Sequence, residues 1–213
     1  MKKIVFTFLL LVISFGLMAQ IPAKVNEIMD KVGKSMDSPN GSTVELKVNV
    51  SMLVSLGNIY VTSYDKDEKS YSEIEGSLLG KKLKSITGYD GQQSWEYDSV
   101  TDSLKINMNK KEAEKSEYGL DLDMSKEFKK ASLKEKKETY EITFTEPIKE
   151  KEAPSKAVFT INKSDFILKE MSVKMGPAKM TMTVTKFLPS VTDESVFVFD
   201  QTKFPNAKVE YIK

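Results

Sequence analysis

The side chains of this 213-residue sequence that could do chemistry belong to few types. All of its basic residues are Lys, and Arg, His and Cys do not occur. Disulfides, thiolate nucleophiles, Ser-His-Asp triads, haem ligation through His or Cys, and the usual zinc sites are therefore excluded. Without Arg, no bidentate fork can hold a phosphate or carboxylate. Catalysis would have to use Asp, Glu, Lys, Tyr or Ser, so the composition favours binding.

The carboxylates do not form a recognisable catalytic or metal-binding motif. Asp121 and Asp123 lack the Gly and the distal Glu of a calcium loop, and Asp65, Asp67 and Glu68 are typical of a solvated turn. We therefore predict no metal, no cofactor and no enzymatic activity. The formal net charge of +1 gives no reason to expect a nucleic-acid partner.

The N-terminus has the pattern of a signal peptide. Lys2 and Lys3 precede an apolar run from Ile4 to Leu17, and Ala19 supplies a small residue for cleavage. Because no Cys follows, lipoprotein acylation is not expected there. We predict a signal peptide over residues 1–19, export to the periplasm, and one domain over residues 20–213; an uncleaved anchor is the alternative.

Hydrophobic periodicity predicts a short helix and then a long strand. Val25, Ile28, Met29 and Val32 recur at helical spacing between Pro22 and Gly33. After Ser38-Pro39-Asn40-Gly41, apolar residues occupy every second position from Val44 to Leu56. Gly57-Asn58 then predicts a tight turn into a strand over Ile59–Tyr64.

The rest of the chain predicts a meander interrupted by helices. Further strands are predicted at Ser70–Glu75, Lys82–Thr87, Gln93–Tyr97, Ser103–Met108, Thr139–Thr145, Ala157–Asn162, Phe166–Met175, Ala178–Phe187 and Val196–Phe199. Between Asn109 and Lys137, the spacing of Met124, Phe128 and Ala131 predicts one or two short helices. The fold class is therefore α+β, with one mostly antiparallel sheet and a few covering helices.

The strongest internal pattern is a Met-rich hairpin. Met171, Val173 and Met175 alternate on one predicted strand, and Met180, Met182 and Val184 alternate on the next. Met side chains adapt to irregular apolar ligands, so the hairpin could line a cavity, although the same pattern fits an ordinary core. With Val44–Leu56, it is expected on the concave face of a curved sheet.

Two other patterns favour a structural interpretation. Trp95 and Tyr97 alternate after the Asp90-Gly91 turn, as cross-strand aromatic packing requires. The lysines from Lys129 to Lys137 are interleaved with Glu135 and Glu138, which favours a solvated face over an anionic-lipid patch.

Two segments carry a family resemblance, together with the export signal and the opening helix. The first is Ile86-Thr87-Gly88-Tyr89-Asp90-Gly91-Gln92-Gln93-Ser94-Trp95-Glu96-Tyr97-Asp98, and the second is Asp193-Glu194-Ser195-Val196-Phe197-Val198-Phe199-Asp200. They resemble motifs of the periplasmic outer-membrane lipoprotein carrier family, the LolA-like proteins. The resemblance spans nearly the whole chain after the signal peptide. It implies an incomplete β-barrel, closed by helices around an apolar cavity for the acyl chains of lipoproteins, with lid helices over Leu120–Ala131.

The resemblance also implies a function and a set of contacts. The protein would be a monomeric periplasmic carrier that receives lipoproteins or other lipids from an inner-membrane release complex and passes them to an outer-membrane acceptor. An envelope module that senses lipids or peptides is the alternative. Family carriers hold the lid through an Arg, so here an apolar latch is expected. The lipid-binding residues would be Leu46, Val48, Val50, Met52, Trp95, Met124, Phe128, Met171, Val173, Met175, Met180, Met182 and Val184.

Overall fold

The structure is a computed structural model that describes residues 21–108, 127–148 and 154–212. The predicted signal peptide, Met124 and most of the predicted lid lie outside the described residues. Within them, no helix is long and apolar enough to cross a membrane.

The predicted N-terminal helix is confirmed and is one turn longer than expected. Helix α1 (Ala23–Met36) has Pro22 at its N-cap and buries Val25, Ile28 and Val32. Gly33, predicted to end the helix, lies inside it, and the N–H of Asp37 bonds to the Gly33 carbonyl.

Twelve strands account for most of the described chain. The first six are β1 (Ser42–Ser51), β2 (Ser55–Lys66), β3 (Lys69–Leu78), β4 (Lys81–Tyr89), β5 (Ser94–Asp98) and β6 (Ser103–Asn107). The others are β7 (Phe128–Glu135), β8 (Thr139–Pro147), β9 (Lys156–Asn162), β10 (Leu168–Met175), β11 (Ala178–Leu188) and β12 (Lys208–Ile212).

Two predictions about the first hairpin are wrong. The strand expected over Val44–Leu56 stops at Ser51, and the chain turns through Met52–Val54, where the N–H of Met52 donates to the carbonyl of Val54. Apolar residues continue to occupy every second position through this turn, so hydrophobic spacing alone did not show where the strand ends. Gly57, predicted to turn, lies within β2, where an added Cβ would come 2.0 Å from the carbonyl oxygen of Ser77. Gly57 therefore lets the backbone of β3 come close to β2, where a larger residue would not fit.

Two predictions of element type are also wrong. Phe128–Glu135 is a strand and not part of a helical lid, because its backbone pairs with β8. Val196–Phe199 is not a strand: a 3-10 turn covers Glu194–Phe197, another covers Gln201–Lys203, and the last strand, β12, comes later.

The strands form one curved, unclosed sheet in the order β12-β6-β5-β4-β3-β2-β1-β11-β10-β9-β8-β7. All pairs are antiparallel except β12 with β6. This confirms the predicted incomplete β-barrel in a single domain. Residues 189–207, named here the strap, connect β11 to β12 and so link the middle of the sheet to its edge.

The register places two hydrophobic cores on opposite faces of the sheet. Directly paired residues share a face, and neighbours along a strand alternate. Val61 on β2 faces Leu46 and Ile74, whereas Thr62 faces Glu73, which in turn pairs with Ile86. Leu46 belongs to the core with α1, and Ile86 to the core with the strap residue Phe204. We name the two sides the helix face and the strap face.

Candidate functional site

The helix face carries two apolar rows that run across seven adjacent strands. The inner row is Ile59, Val48, Met182, Met171, Phe159, Ile142 and Leu133, and the outer row is Gly57, Val50, Met180, Val173, Ala157, Phe144 and Ala131. Six strand spacings of about 4.8 Å make each row roughly 29 Å wide. None of these residues carries a formal charge.

Burial along the two rows is uneven. Phe159, Ile142 and Phe144 are fully buried in the core that includes α1. At the other end, Val50 is only half-buried, and Met180 remains 36% exposed. The apolar face therefore extends beyond its covered part, toward the turn between β1 and β2.

The register confirms that β1 and the Met-rich hairpin share a face. Val48 pairs directly with Met182, and Val50 with Met180. Met171 and Met182 are almost fully buried, as in an ordinary core. Val173 and Val184 are half-buried and Met175 is exposed, so the hairpin serves partly as core and partly as accessible surface.

Not all of the predicted lipid-binding residues come together. Trp95 lies on the strap face, in the other core. Met52 stands in the exposed β1–β2 turn, outside the apolar rows. Phe128 is buried, with its ring 6.0 Å from that of Phe144, at the start of an edge strand instead of in a lid. Leu46 lies in the core beside α1.

Phe159, Ile142 and Phe144 belong to the apolar rows but were not predicted as site residues. Their strands were predicted, and their period-two spacing was visible in the sequence. These residues join the apolar rows because β8 and β9 lie next to the Met-rich hairpin in the sheet. The spacing of residues along one strand does not show which strands are neighbours.

The two family-like motifs meet on the strap face. The Trp95 ring centroid is 5.2 Å from that of Phe199, and the Tyr97 centroid is 4.8 Å from that of Phe204. Trp95 lies opposite Gly88, where an added Cβ would come 2.1 Å from the indole. These aromatic contacts join the strap to the sheet, whereas the predicted packing was between strands.

Short polar turns hold both motifs in shape. Asp90 Oδ1 accepts the backbone N–H groups of Gln92 and Gln93, each at 2.9 Å. Asp193 accepts the N–H of Ser195 at 2.9 Å, and hydrogen bonds from the Ser195 hydroxyl and backbone lower the pKa of Asp193.

A cleft of about 600 Å³ lies where the motifs meet. Polar and apolar side chains both line it: Lys69, Asp90, Gln92, Gln93, Glu194, Ser195, Phe197, Val198 and Phe199. The Lys66 ammonium lies 2.5 Å from Glu194, and this hydrogen bond lowers the pKa of the Glu194 carboxyl. The spacing rules used on the sequence did not indicate this cleft, because Lys69 and Glu194 are distant in the chain.

A second cleft, of about 260 Å³, lies beside the end of α1. Met36, Asp37, Ser38, Pro39, Gly41, Ser42, Asp65, Lys66 and Asp67 line it. Neither cleft is lined by a residue of the apolar rows. Within the described ranges, no three carboxylates are grouped closely enough to hold a metal ion.

Comparison with known proteins gives matches among solved structures alone. No protein-family model matches the chain, and no curated protein matches its sequence. An uncharacterized conserved protein from Thermus thermophilus aligns with a TM-score of 0.52 and 14% identity, over 89% of this chain and 99% of that chain. This likeness shows the fold.

Other structural neighbours are more distant. The lipoprotein LppX of Mycobacterium tuberculosis aligns with a TM-score of 0.48 and 15% identity, over 78% of this chain and 98% of that one. A LolA superfamily protein from Nitrosomonas europaea aligns with a TM-score of 0.37 and 7% identity, over 82% of this chain and 97% of that one. A LolA superfamily protein is thus among the structures to which the chain is similar.

Proposed function

We propose that the protein is a carrier of the cell envelope that binds acyl chains of lipoproteins or other lipids on its helix face. The observation that supports this most directly is the pair of uncharged apolar rows, seven strands wide, whose outer end is only partly covered. The site is a binding surface, and it carries cargo without doing chemistry on it.

The chemistry of the rows suits a chain-like apolar ligand. Burying a methylene group is worth about 0.8 kcal/mol, and the attraction is non-directional, so affinity would grow with chain length. Met180 and Met182 can change rotamer to follow a ligand of irregular shape. A charged or hydrogen-bonding ligand would find no partner in the rows.

Export and transfer complete the proposal. Residues 1–19 would direct the chain to the periplasm and be removed near Ala19. The carrier would work as a monomer, taking cargo from an inner-membrane release complex and giving it to an outer-membrane acceptor. Cargo would move toward the outer membrane.

Uptake of a fluorescent fatty acid by delipidated protein tests the proposal. Met180→Asp places a charge in the outer row, and uptake should fall at least tenfold. Thr181→Asp is the matched control, because Thr181 is the next residue and lies on the strap face, paired with Asn49. Absence of uptake by the wild-type protein, or equal loss in both variants, would contradict the proposal.

The cleft where the motifs meet supports a second candidate, a peptide-sensing envelope module. Lys69 and Glu194 can pair with charged groups, and Gln92 and Gln93 can bond to amides. Deleting the gene separates the two functions. Loss of a carrier should leave lipoproteins in the inner membrane, whereas loss of a sensor should change a stress response without moving lipoproteins.

A further inference from the structure

Three turns at one end of the sheet expose large apolar side chains. They connect β1 to β2, β3 to β4, and β10 to β11. Leu53 is completely exposed, Leu79 is 71% exposed, and Met175 is 54% exposed. Met52 and Val54 flank Leu53 and are also exposed. Side chains of this size in solvent do not stabilise the fold, so the cluster calls for another explanation.

The sheet order brings the three turns side by side. Their six strands are consecutive in the order β4-β3-β2-β1-β11-β10. The Ser51 hydroxyl donates to the Lys179 carbonyl at 3.3 Å, which ties the first turn to the third. The N–H of Leu79 donates to the Leu56 carbonyl at 2.8 Å, which ties the second turn to β2. We name this end of the sheet the tip surface.

Lysines surround the exposed apolar residues of the tip surface. The segments 49–58, 76–82 and 172–181 contain Lys81, Lys82, Lys174 and Lys179 and no Asp or Glu. At the opposite end of the sheet the turns mix both signs, as in Asp65-Lys66-Asp67-Glu68. The three turns that expose the apolar side chains are therefore flanked by positive charge alone.

Two of these lysines are paired with each other across the sheet, and Lys156 on β9 joins the same row. Lys174 lies directly opposite Lys179 on β11 and opposite Lys156 on β9. Like charges in direct cross-strand pairs destabilise a sheet. Among the described residues, none of the three forms an ion pair with a carboxylate. An external anionic surface would offset this repulsion.

We infer that the tip surface docks on an anionic lipid bilayer. Leu53, Leu79 and Met175 would enter the interface between headgroups and acyl chains, and the lysines would contact anionic headgroups. This goes beyond the proposed carrier function, because it concerns the membrane itself and holds whether or not the helix face takes up an acyl chain. The outer apolar row ends beside these turns, which would place it next to the bilayer.

Vesicle flotation with purified full-length protein tests the docking. The protein should float with vesicles that contain phosphatidylglycerol, much less with phosphatidylcholine vesicles, and less at high salt. Leu53→Glu should lower the partition coefficient on the order of tenfold. Lys81→Gln together with Lys82→Gln should lower it roughly thirtyfold. Val198→Glu is the control, since Val198 is 65% exposed but lies in the strap.

A fluorescent reporter gives an independent measurement. The chain has a single Trp, Trp95, which is buried, so a Trp added by Leu53→Trp reports on the turn. Its emission should shift to the blue with phosphatidylglycerol vesicles. The docking inference is wrong if the wild-type protein does not float or if Leu53→Glu floats equally well. It is also wrong if the emission of the Trp added at position 53 does not shift, which would favour a protein partner for this surface.

The two proposals can fail separately. Leu53 is fully solvent-exposed, so Leu53→Glu should fold and take up fatty acid like the wild type. Vesicle binding without fatty-acid uptake would refute the carrier and support docking. Uptake without vesicle binding would refute docking and support the carrier.

Discussion

The two halves of the sheet are covered in different ways. On the helix face, β1, β2 and β7–β11 present mainly aliphatic, Met and Phe side chains to α1 and to one another. On the strap face, β4–β6 present Ile86, Trp95, Leu104 and Ile106 to the strap. The outer apolar row of the helix face remains partly exposed to solvent. On the strap face, aromatic side chains of the sheet and of the strap pack closely in pairs.

This difference separates adaptable packing from specific packing. Trp95 meets Phe199 in front of a Gly that leaves no room for a side chain, so the strap fits in one arrangement. The outer apolar row has no comparable constraint, because Met180 is flexible and partly exposed. We therefore expect substitutions in the strap half to change stability, and substitutions in the outer row to change ligand binding.

The largest expected effect is that of Trp95→Ala. Trp95 is 4% exposed, and truncating a buried Trp typically lowers the free energy of unfolding by about 3 to 5 kcal/mol. Chemical denaturation measures this loss. Fatty-acid uptake, measured where the variant is still folded, should match that of the wild type. A selective loss of uptake would return Trp95 to the lipid site that the sequence predicted for it.

Gly88→Ala should have the next largest effect. The new Cβ would lie 2.1 Å from Trp95 Cζ2, so the indole must move, at a cost of about 1 to 3 kcal/mol of unfolding free energy. Trp95 fluorescence should change as well. Gly33→Ala is the control, because nothing lies within 4 Å of an added Cβ there. That change, within α1, should stabilise the protein by about 0.4 to 1 kcal/mol.

Local patterns predicted most strands of both halves. Alternation and turn residues placed β4, β5, β8, β9 and β11 close to their observed bounds. Alternation and turn residues could not show which residues of different strands lie on the same face of the sheet. Period two makes Trp95 and Tyr97 neighbours on one side of β5, but only the strand pairing that leads from Val48 through β2, β3 and β4 shows that this side is opposite to Val48. The sequence therefore grouped Trp95 with residues of the helix face, whereas it lies in the core of the strap face.

The strap and the lid show two other limits. Alternation in Val196–Phe199 predicted a strand, but Asp193 and Asp200 cap 3-10 turns by accepting the N–H groups two residues on. The Asp-x-Ser and Asp-x-Thr spacings could have signalled those turns. Phe128 and Ala131 had helical spacing, yet pairing with β8 determined their structure. Tertiary contacts overrode local propensity there.

Thr43→Val tests how the strap begins. Thr43 is buried, and its hydroxyl donates to the Ser190 carbonyl at 3.2 Å. Removing the hydroxyl should cost about 1 kcal/mol of unfolding free energy, because the carbonyl loses its donor. Thr43→Ser keeps the donor and should restore part of the loss. Hydrogen exchange at Val191, whose N–H donates to Asn40, should become faster in Thr43→Val alone. Unchanged exchange would show that the strap is held elsewhere.

The smallest effect, and the most selective for the strap half, should come from acid. Hydrogen bonds from the hydroxyl and backbone of Thr202 lower the pKa of Asp200, those of Ser195 lower the pKa of Asp193, and Lys66 lowers that of Glu194. A carboxyl whose pKa is lower in the folded state stabilises that state above its unfolded pKa, which is 3.8 for Asp and 4.5 for Glu. This stabilisation is lost as the pH falls through the folded pKa values.

The strap should therefore loosen below about pH 4, and Trp95 emission should shift to the red as Phe199 moves away. Asp193→Asn with Asp200→Asn keeps both caps without a titrating carboxyl, so its stability should fall less over that range. If the wild type and this double variant respond identically to acid, the caps do not hold the strap, and the contrast between the two halves depends on aromatic packing alone.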